Sequence, residues 1–155
     1  MPTKRLKDFL DSNKVKYVTC SHSQAFTAQE VAASAHIPGK QLAKTVMVSL
    51  DGKMAMAVLP ATDHVDLRLL KKAAGAKKAE LAAERDFKDL FPDCEIGAMP
   101  PFGNLYDLDV YAATSLTEDE EIAFNAGSHT ELIRLAYKDF EDLVKPQIAD
   151  LSVAA

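Results

Sequence analysis

Residues 41–61 read QLAKTVMVSLDGKMAMAVLPA and contain the clearest fold signal in the chain. Its two halves are apolar runs rich in valine, methionine and alanine, and Asp51-Gly52 lies between them. An Asp-Gly pair readily adopts the positive φ angles of a type I′ turn, which joins two antiparallel strands. We therefore predict a β-hairpin whose strands are buried on both faces. One residue does not fit such a segment, because Lys44 carries an ammonium group at the start of the first strand.

Helical and strand-like segments alternate along the rest of the chain. Apolar spacing predicts helices over 5–14, 27–36, 66–75, 82–91 and 138–145, strands over 15–20 and 106–114, and two further strands within 121–136. Thr27 and Glu30 form a capping box for the second helix, and Gly75 ends the third. Hairpins require antiparallel pairing. The prediction is an α+β fold, a single domain over 1–155 with a mixed, largely antiparallel sheet and packed helices.

The composition excludes several classes of protein. Of the 155 residues, 48% are hydrophobic and 26% are charged, and no apolar run has the length of a membrane span. Charged residues are spread through the first segment, so we expect no signal peptide, no membrane partner and a cytoplasmic protein. Cys20 and Cys94 lie far apart, and the four histidines lack metal-ligand spacing. We therefore expect no metal and no cofactor.

The net charge of −5 conceals a strong segregation of charge along the chain. Residues 1–88 hold 15 Lys and Arg against 9 Asp and Glu, whereas residues 89–155 hold 3 against 14. The densest basic stretch, 68–78, contains four lysines that we call the lysine patch: Lys71, Lys72, Lys77 and Lys78. Such a run is either a solvated helix face or a local binding surface for a phosphate backbone.

The residues that could carry chemistry are few. Ser128 and His129 suggest a hydrolase triad, but neighbours on a strand point to opposite faces and the chain has no GxSxG motif. A Schiff-base role for Lys44 lacks a phosphate cradle for pyridoxal phosphate. The sequence GAMPPFG, which we call the glycine–proline loop (97–103), suits close approach of a ligand or simply a rigid turn.

Several motifs occur together and in a fixed order. They are AFTAQEVA, LAKTVMV, ATDHVDLRLLKKAAGAKKAELAAERDF, the glycine–proline loop and AGSHTELIRL. In this order the chain resembles the YbaK/EbsC-like family, which is related to the editing insertion domain of bacterial prolyl-tRNA synthetases. The resemblance covers about residues 15–146. It implies a metal-free aminoacyl-tRNA deacylase that hydrolyses the ester of a mischarged small amino acid, acting in trans on tRNA for proline.

The resemblance also implies which residues carry this function. Its functional lysine corresponds to Lys44, and its glycine–proline loop supplies Gly97, Pro101 and Gly103. Gly127-Ser128-His129, which we call the tip, is similar to a motif in one branch of the family. Many members have Asn at the position of Thr45 and EHPP at 20–23, where this chain has CSHS. The predicted amino-acid pocket is lined by Phe26, Thr27, Thr45, Met99 and Phe102.

The mischarged tRNA acceptor end is the implied partner, and a prolyl-tRNA synthetase is a candidate second one. Lys44 would then be a fixed positive charge in a cleft. It would bind a phosphate or stabilise the negative charge that develops at the ester. Two other functions stay open at this point. One is a non-catalytic module that binds aminoacyl-tRNA or a synthetase, and the other is a hydrolase of small aminoacyl esters.

Overall fold

A computed structural model describes residues 4–21, 41–92, 94–95 and 98–154. In this part of the chain the helices are α1 Lys4–Ser12, α2 Leu67–Ala74, α3 Glu84–Phe87 and α4 Tyr137–Val144. The strands are β1 Tyr17–Ser21, β2 Ala43–Leu50, β3 Lys53–Pro60, β4 Asp63–Val65, β5 Ala79–Leu81, β6 Asp109–Ala113, β7 Glu121–Ser128, β8 Glu131–Ala136, β9 Gln147–Ala149 and β10 Ser152–Ala154. No helix among these is long and apolar enough to cross a membrane.

The predicted hairpin forms the centre of the fold. β2 and β3 pair antiparallel without interruption, from Ala43 opposite Pro60 to Leu50 opposite Lys53. Asp51 and Gly52 close the turn with φ angles of 52° and 85°. Both angles lie in the left-handed region that an Asp-Gly pair tolerates better than most residue pairs. The hairpin prediction is confirmed, including its turn.

The strands are distributed over three hydrogen-bonded sheets. The largest has the order β5-β2-β3-β6-β9, in which β5, β2 and β3 are antiparallel neighbours while β6 and β9 continue in parallel. A second antiparallel sheet has the order β1-β8-β7, and β4 pairs with β10. Leu42 and Ala123 form a parallel bridge between the first two sheets. The α+β class and the mixed pairing are confirmed.

The five-stranded sheet buries a different cluster on each face. One face packs with α1, α4 and the inner side of the three-stranded sheet, around Phe102, Phe124 and Phe140. The other face packs against α2 and the C-terminal segment, around Leu70 and Leu151. Residues in β2 alternate between these clusters because successive side chains of a strand point to opposite faces. This alternation decides which side of the sheet each candidate residue occupies.

The ends of the elements show where local sequence decides structure. Asp66 caps α2 by accepting hydrogen bonds from the N–H groups of Arg68 and Leu69, and Gly75 ends it with a φ of 66°. The helix predicted over 82–91 is shorter, since α3 ends at Phe87 and a 3₁₀ turn follows over Lys88–Leu90. The strands of 121–136 turn at residues 129–130, slightly later than predicted. The helix predicted over 27–36 lies outside the described residues.

Candidate functional site

Lys44 is the second residue of β2 and lies half-buried at the start of that strand. It stands opposite Leu59 of β3, which is fully buried in the cluster beneath α2. Val46 and Val48 follow on the same face of β2. The stem of Lys44 therefore starts from an apolar surface, and no hydrogen bond or ion pair joins its ammonium group to another residue of the described ranges.

The surroundings of Lys44 affect its protonation. Burial lowers the pKa of the Lys44 ammonium group, because desolvation disfavours the charged form, and the negative charge of Asp63 raises it in part. Asp63 lies at the start of β4 and accepts a hydrogen bond of 2.9 Å from the hydroxyl of Ser152 in β10. Lys44 is thus a partly desolvated cation whose charge is favoured by the carboxylate of Asp63. In such surroundings its attraction for an anion is stronger than in water.

Hydrogen bonds join the region of the glycine–proline loop to the tip. The N–H of Gly127 donates to the carbonyl of Ala98 at 2.9 Å, and the N–H of Glu95 donates to the carbonyl of Gly127 at 2.8 Å. The carboxylate of Glu95 also accepts from the N–H of His129 at 3.1 Å. Gly127 has a φ of 96°, a conformation that residues with a Cβ rarely adopt. The two motifs, about 30 positions apart in sequence, are therefore one structural unit.

The bridge between Leu42 and Ala123 joins the start of β2 to β7, the strand that leads into the tip. β7 and the start of β2 run in the same direction from the bridge. Lys44 follows Leu42 by two residues, and Gly127 follows Ala123 by four. The N–H of Ala61 donates to the carbonyl of Leu42 at 2.7 Å, which anchors this part of the chain to the end of β3. From this bridge the backbones of β2 and β7 lead in the same direction to Lys44 and to the tip, while the Lys44 side chain lies on the face of β2 opposite to Met99 and Phe102.

The tip itself is tightly bonded. The hydroxyl of Ser128 pairs with that of Thr130 at 2.9 Å and accepts from the N–H of Thr130 at 3.0 Å. His129 follows in the turn and is only 6% exposed. The Ser128 hydroxyl thus takes part in a local turn of its own, which agrees with the expectation that it does not form a nucleophile–base pair with its neighbour.

The described part of the glycine–proline loop is buried. Pro100, Pro101 and Gly103 have little exposed surface. A Cβ on Gly103 would lie 2.6 Å from the carbonyl oxygen of Leu108 and 2.6 Å from a methyl group of Val110, so glycine is required there for packing. Gly97 lies outside the described residues. The structure thus assigns Gly103 a packing role, while the catalytic roles of Gly97, Pro101 and Gly103 remain predictions.

Three of the residues predicted to line the amino-acid pocket, Thr45, Met99 and Phe102, lie within the described ranges. Thr45 lies on the face of β2 opposite to that of Lys44, on the side of Met99 and Phe102. The Phe102 ring is fully buried and contacts the rings of three other phenylalanines. This burial argues against Phe102 as an open pocket wall, because its side chain already fills the core. Phe26 and Thr27 lie outside the described residues.

The lysine patch is at the other end of the hairpin from Lys44. Lys71 and Lys72 occupy the last turn of α2, Lys77 and Lys78 follow its cap, and all four are exposed. The Asp51 carboxylate accepts hydrogen bonds from the N–H groups of Lys77 and Lys78 at 2.9 and 2.8 Å. Lys44 and Leu50, the last residue before the turn, are six positions apart along β2, a distance of about 20 Å.

Sequence reasoning assigned no role to Glu95 and did not pair Asp63 with Lys44, although Asp63 lies within the motif that begins at Ala61. Each carboxylate bonds to a residue that is distant in sequence. Within the described ranges, no three His, Cys, Asp or Glu side chains form a group that could hold a metal ion. Cys20 and Cys94 are both half-buried, and neither forms a disulfide. The thiol of Cys94 lies 3.4 Å from the hydroxyl of Tyr106.

Comparison with known proteins gives one family match, which covers most of the chain. The model of the aminoacyl-tRNA editing domain matches residues 22–143. The multifunctional Ser/Thr-tRNA deacylase ProXp-y of Escherichia coli K12 is 32% identical over 96 residues, which are 61% of this chain and 57% of that protein. The proline–tRNA ligase of Bacillus mycoides is 27% identical over 84 residues, 54% of this chain and 15% of the ligase. The matched region is thus little more than half of the deacylase and a small part of the ligase.

Solved structures share the fold over nearly the whole chain. The crystal structure described as "a putative trans-editing enzyme for prolyl tRNA synthetase" has a TM-score of 0.83 and 22% identity, and covers 99% of this chain and 98% of its own. A hypothetical protein, APE2540, has a TM-score of 0.86 and 16% identity, with coverage of 97% and 100%. At these identities the likeness concerns the fold.

Proposed function

The chain belongs to the aminoacyl-tRNA editing domain family, and from this premise we propose that it hydrolyses the ester between a wrong amino acid and tRNA. The observation that carries the proposal is the joining of the glycine–proline loop region to the tip, at the end of the strand that the Leu42–Ala123 bridge joins to the start of β2. Family membership supports the reaction class, and this arrangement supports the place where it occurs.

The proposed mechanism uses charge and backbone dipoles and needs no covalent intermediate. An aminoacyl ester is already activated, so the protein has to position a water molecule and stabilise the oxyanion that forms. Lys44 supplies a fixed positive charge for that oxyanion or for the phosphate of the terminal adenosine. N–H groups of the glycine–proline loop or the tip supply hydrogen bonds, and one such donor contributes roughly 3–4 kcal/mol. A backbone carbonyl or the vicinal hydroxyl of the ribose activates the water.

We propose a small amino acid as the group removed. A synthetase pocket rejects a smaller apolar side chain by only about 10–200-fold, so a second site must hydrolyse the errors. Alanine, serine, cysteine and 2-aminobutyrate are suitable in size. The name of the Escherichia coli relative concerns seryl and threonyl esters, so these two come first in any test.

We further propose that the protein acts as one domain and in trans, with tRNA for proline as substrate and a prolyl-tRNA synthetase as a possible associate. The lysine patch would bind tRNA phosphates outside the reacting end. Leu50, beside the turn that the patch flanks, is about 20 Å along β2 from Lys44, so the two sites would contact different parts of one tRNA. All four lysines are exposed, as such a surface requires.

A panel of esters tests the proposal. The protein is incubated with tRNA for proline that carries serine, threonine, alanine, cysteine or proline, and with small aminoacyl esters, and loss of the ester is followed. We expect rapid hydrolysis of at least one mischarged tRNA and survival of prolyl-tRNA. Binding without hydrolysis would indicate a non-catalytic module, and equal hydrolysis of small esters and tRNA would indicate an esterase without RNA specificity.

A further inference from the structure

We propose that Glu95 is a positioning residue of the proposed deacylase, which holds the tip in place through the bond from its carboxylate to the N–H of His129. This inference rests on the proposed function. Glu95 precedes the glycine–proline loop and is exposed. Its carboxylate oxygen lies 3.1 Å from the backbone nitrogen of His129.

The pairing of the strands alone does not fix the tip. The register between β7 and β8 is regular up to Asn125 and Leu132, then shifts before Ser128 pairs with Glu131. Gly127 lies within this irregular stretch, and glycine restricts the backbone less than any other residue. The tip lies beyond the regular pairing at Asn125, so hydrogen bonds from outside the β7–β8 pair are needed to hold it.

Glu95 supplies such bonds from both its backbone and its side chain. Its N–H donates to the carbonyl of Gly127 at 2.8 Å, and its carbonyl accepts from the N–H of Ala98 at 3.1 Å. Ala98 in turn accepts from the N–H of Gly127 at 2.9 Å. The carboxylate then reaches two residues farther, to His129. A hydrogen bond to an ionised acceptor is stronger than one between neutral groups, which suits a role in fixing an otherwise irregular turn.

Two substitutions separate positioning from direct chemistry. Glu95→Gln keeps an oxygen that can accept from the His129 N–H, whereas Glu95→Ala removes the acceptor. We expect Glu95→Gln to retain most of the single-turnover deacylation rate and Glu95→Ala to lose about tenfold, with a melting temperature lower by only a few degrees, as for the loss of one hydrogen bond. Hydrogen exchange at the His129 amide should be faster in Glu95→Ala than in Glu95→Gln. Glu121→Ala, an exposed carboxylate at the opposite end of β7, is the matched control and should change neither readout.

Three results would overturn the proposal. Equal loss of rate in Glu95→Gln and Glu95→Ala would mean that the negative charge itself acts in the reaction. Wild-type rates in Glu95→Ala would mean that the bond has no role in hydrolysis. If the wild-type protein hydrolyses none of the esters, the proposed function fails separately, and hydrogen exchange at the His129 amide decides on Glu95. Faster exchange in Glu95→Ala alone supports the positioning role. Equal exchange in Glu95→Ala and Glu95→Gln contradicts it.

Discussion

The two ends of the central hairpin carry lysines in contrasting surroundings. At the start of β2 there is one lysine, Lys44, half-buried against apolar side chains and opposite Leu59. At the turn of the same hairpin, α2 and its following loop present the lysine patch, whose side chains are exposed to solvent. The residue type is the same at both ends, but the dielectric surroundings differ.

This difference separates two uses of a positive charge. A hydrated ammonium group attracts phosphates weakly, because salt screens its charge. Several such ammonium groups must therefore act together to bind a phosphate backbone. A poorly hydrated one interacts more strongly with a single adjacent anion, but its charge has a desolvation cost. We infer that the Lys44 end acts on the reacting ester, whereas the patch attracts the tRNA.

Loss of Lys44 should have the largest effect on activity. We expect Lys44→Ala to reduce single-turnover deacylation by about 100-fold or more, as for removal of one oxyanion-stabilising group. Lys44→Arg should also be slow, since a planar guanidinium does not replace a compact ammonium group in a fitted site. Circular dichroism and thermal melting should show folded proteins. Near-wild-type rates in folded Lys44→Ala would remove the residue from the mechanism.

Charge reversal of the lysine patch should have the next largest effect, and only on tRNA. Changing all four lysines to Glu should weaken tRNA binding by at least about tenfold and reduce the slope of log K against log salt by up to about 3–4. Hydrolysis of an aminoacyl-adenosine should be unchanged. The matched control reverses four exposed lysines elsewhere: Lys4, Lys14, Lys16 and Lys138. Equal loss of tRNA binding in the control would show that the patch acts only through the overall charge of the protein.

The carboxylate of Asp51, which bonds to the backbone of the lysine patch, should matter for protein stability rather than for tRNA binding. Asp51→Asn keeps a residue that tolerates the φ of 52° but weakens the bonds to the N–H groups of Lys77 and Lys78. We expect the free energy of unfolding in urea to fall by about 1 kcal/mol. Binding of tRNA should not weaken, because the substitution removes a negative charge. Weaker binding at unchanged stability would contradict this assignment.

Removal of the carboxylate near Lys44 should produce the smallest effect, a shift in pH dependence. Activity that needs the protonated amine should fall as the pH rises through a pKa below the 10.5 of an ordinary lysine, because burial lowers it. Asp63→Asn should move this midpoint lower still, since Asp63 raises the pKa. Stability has the opposite sign: it should increase as the pH rises from the lowered pKa towards 10.5, where only the unfolded chain keeps the proton.

The midpoint can be measured without relying on catalysis. Acylation of the Lys44 amine, followed by mass spectrometry over a pH series, reports the fraction deprotonated in the folded protein. Asp66→Asn is a less suitable control, because Asp66 caps α2; His64→Gln, an exposed neighbour on β4, is better. An unchanged or raised midpoint in Asp63→Asn would show that Asp63 does not act on Lys44.

Local features of the fold were predictable from the sequence. The turn at Asp51-Gly52 and the caps of α2 at Asp66 and Gly75 depend on residues within a few positions of each other. The three-residue strands β4, β5, β9 and β10 were not predicted, because segments of this length are strands only through partners elsewhere in the chain. The α3 helix is shorter than its apolar pattern suggested. Phe87 and Phe91 both pack into the core, and this tertiary packing is not visible in the local sequence.

The candidate site was predictable only in part. Lys44 stood out because its charge conflicts with an apolar strand, and the motifs of the loop and the tip carried the family resemblance. Strand alternation then places Thr45 on the other face from Lys44, and Phe102 fills the core. Glu95 gave no signal in the sequence, because its partner is 34 residues away and the bond goes to backbone.

In the proposed division of labour, one end of the hairpin performs the reaction and the other binds the RNA. The most direct test measures kcat/KM for the wild-type protein, Lys44→Ala and the patch reversal, each with a mischarged tRNA and with the corresponding aminoacyl-adenosine. We predict that Lys44→Ala is slow on both substrates, whereas the patch reversal is slow on tRNA alone. A patch reversal that is equally slow on both substrates, or a Lys44→Ala protein that hydrolyses aminoacyl-adenosine at the wild-type rate, would contradict the account.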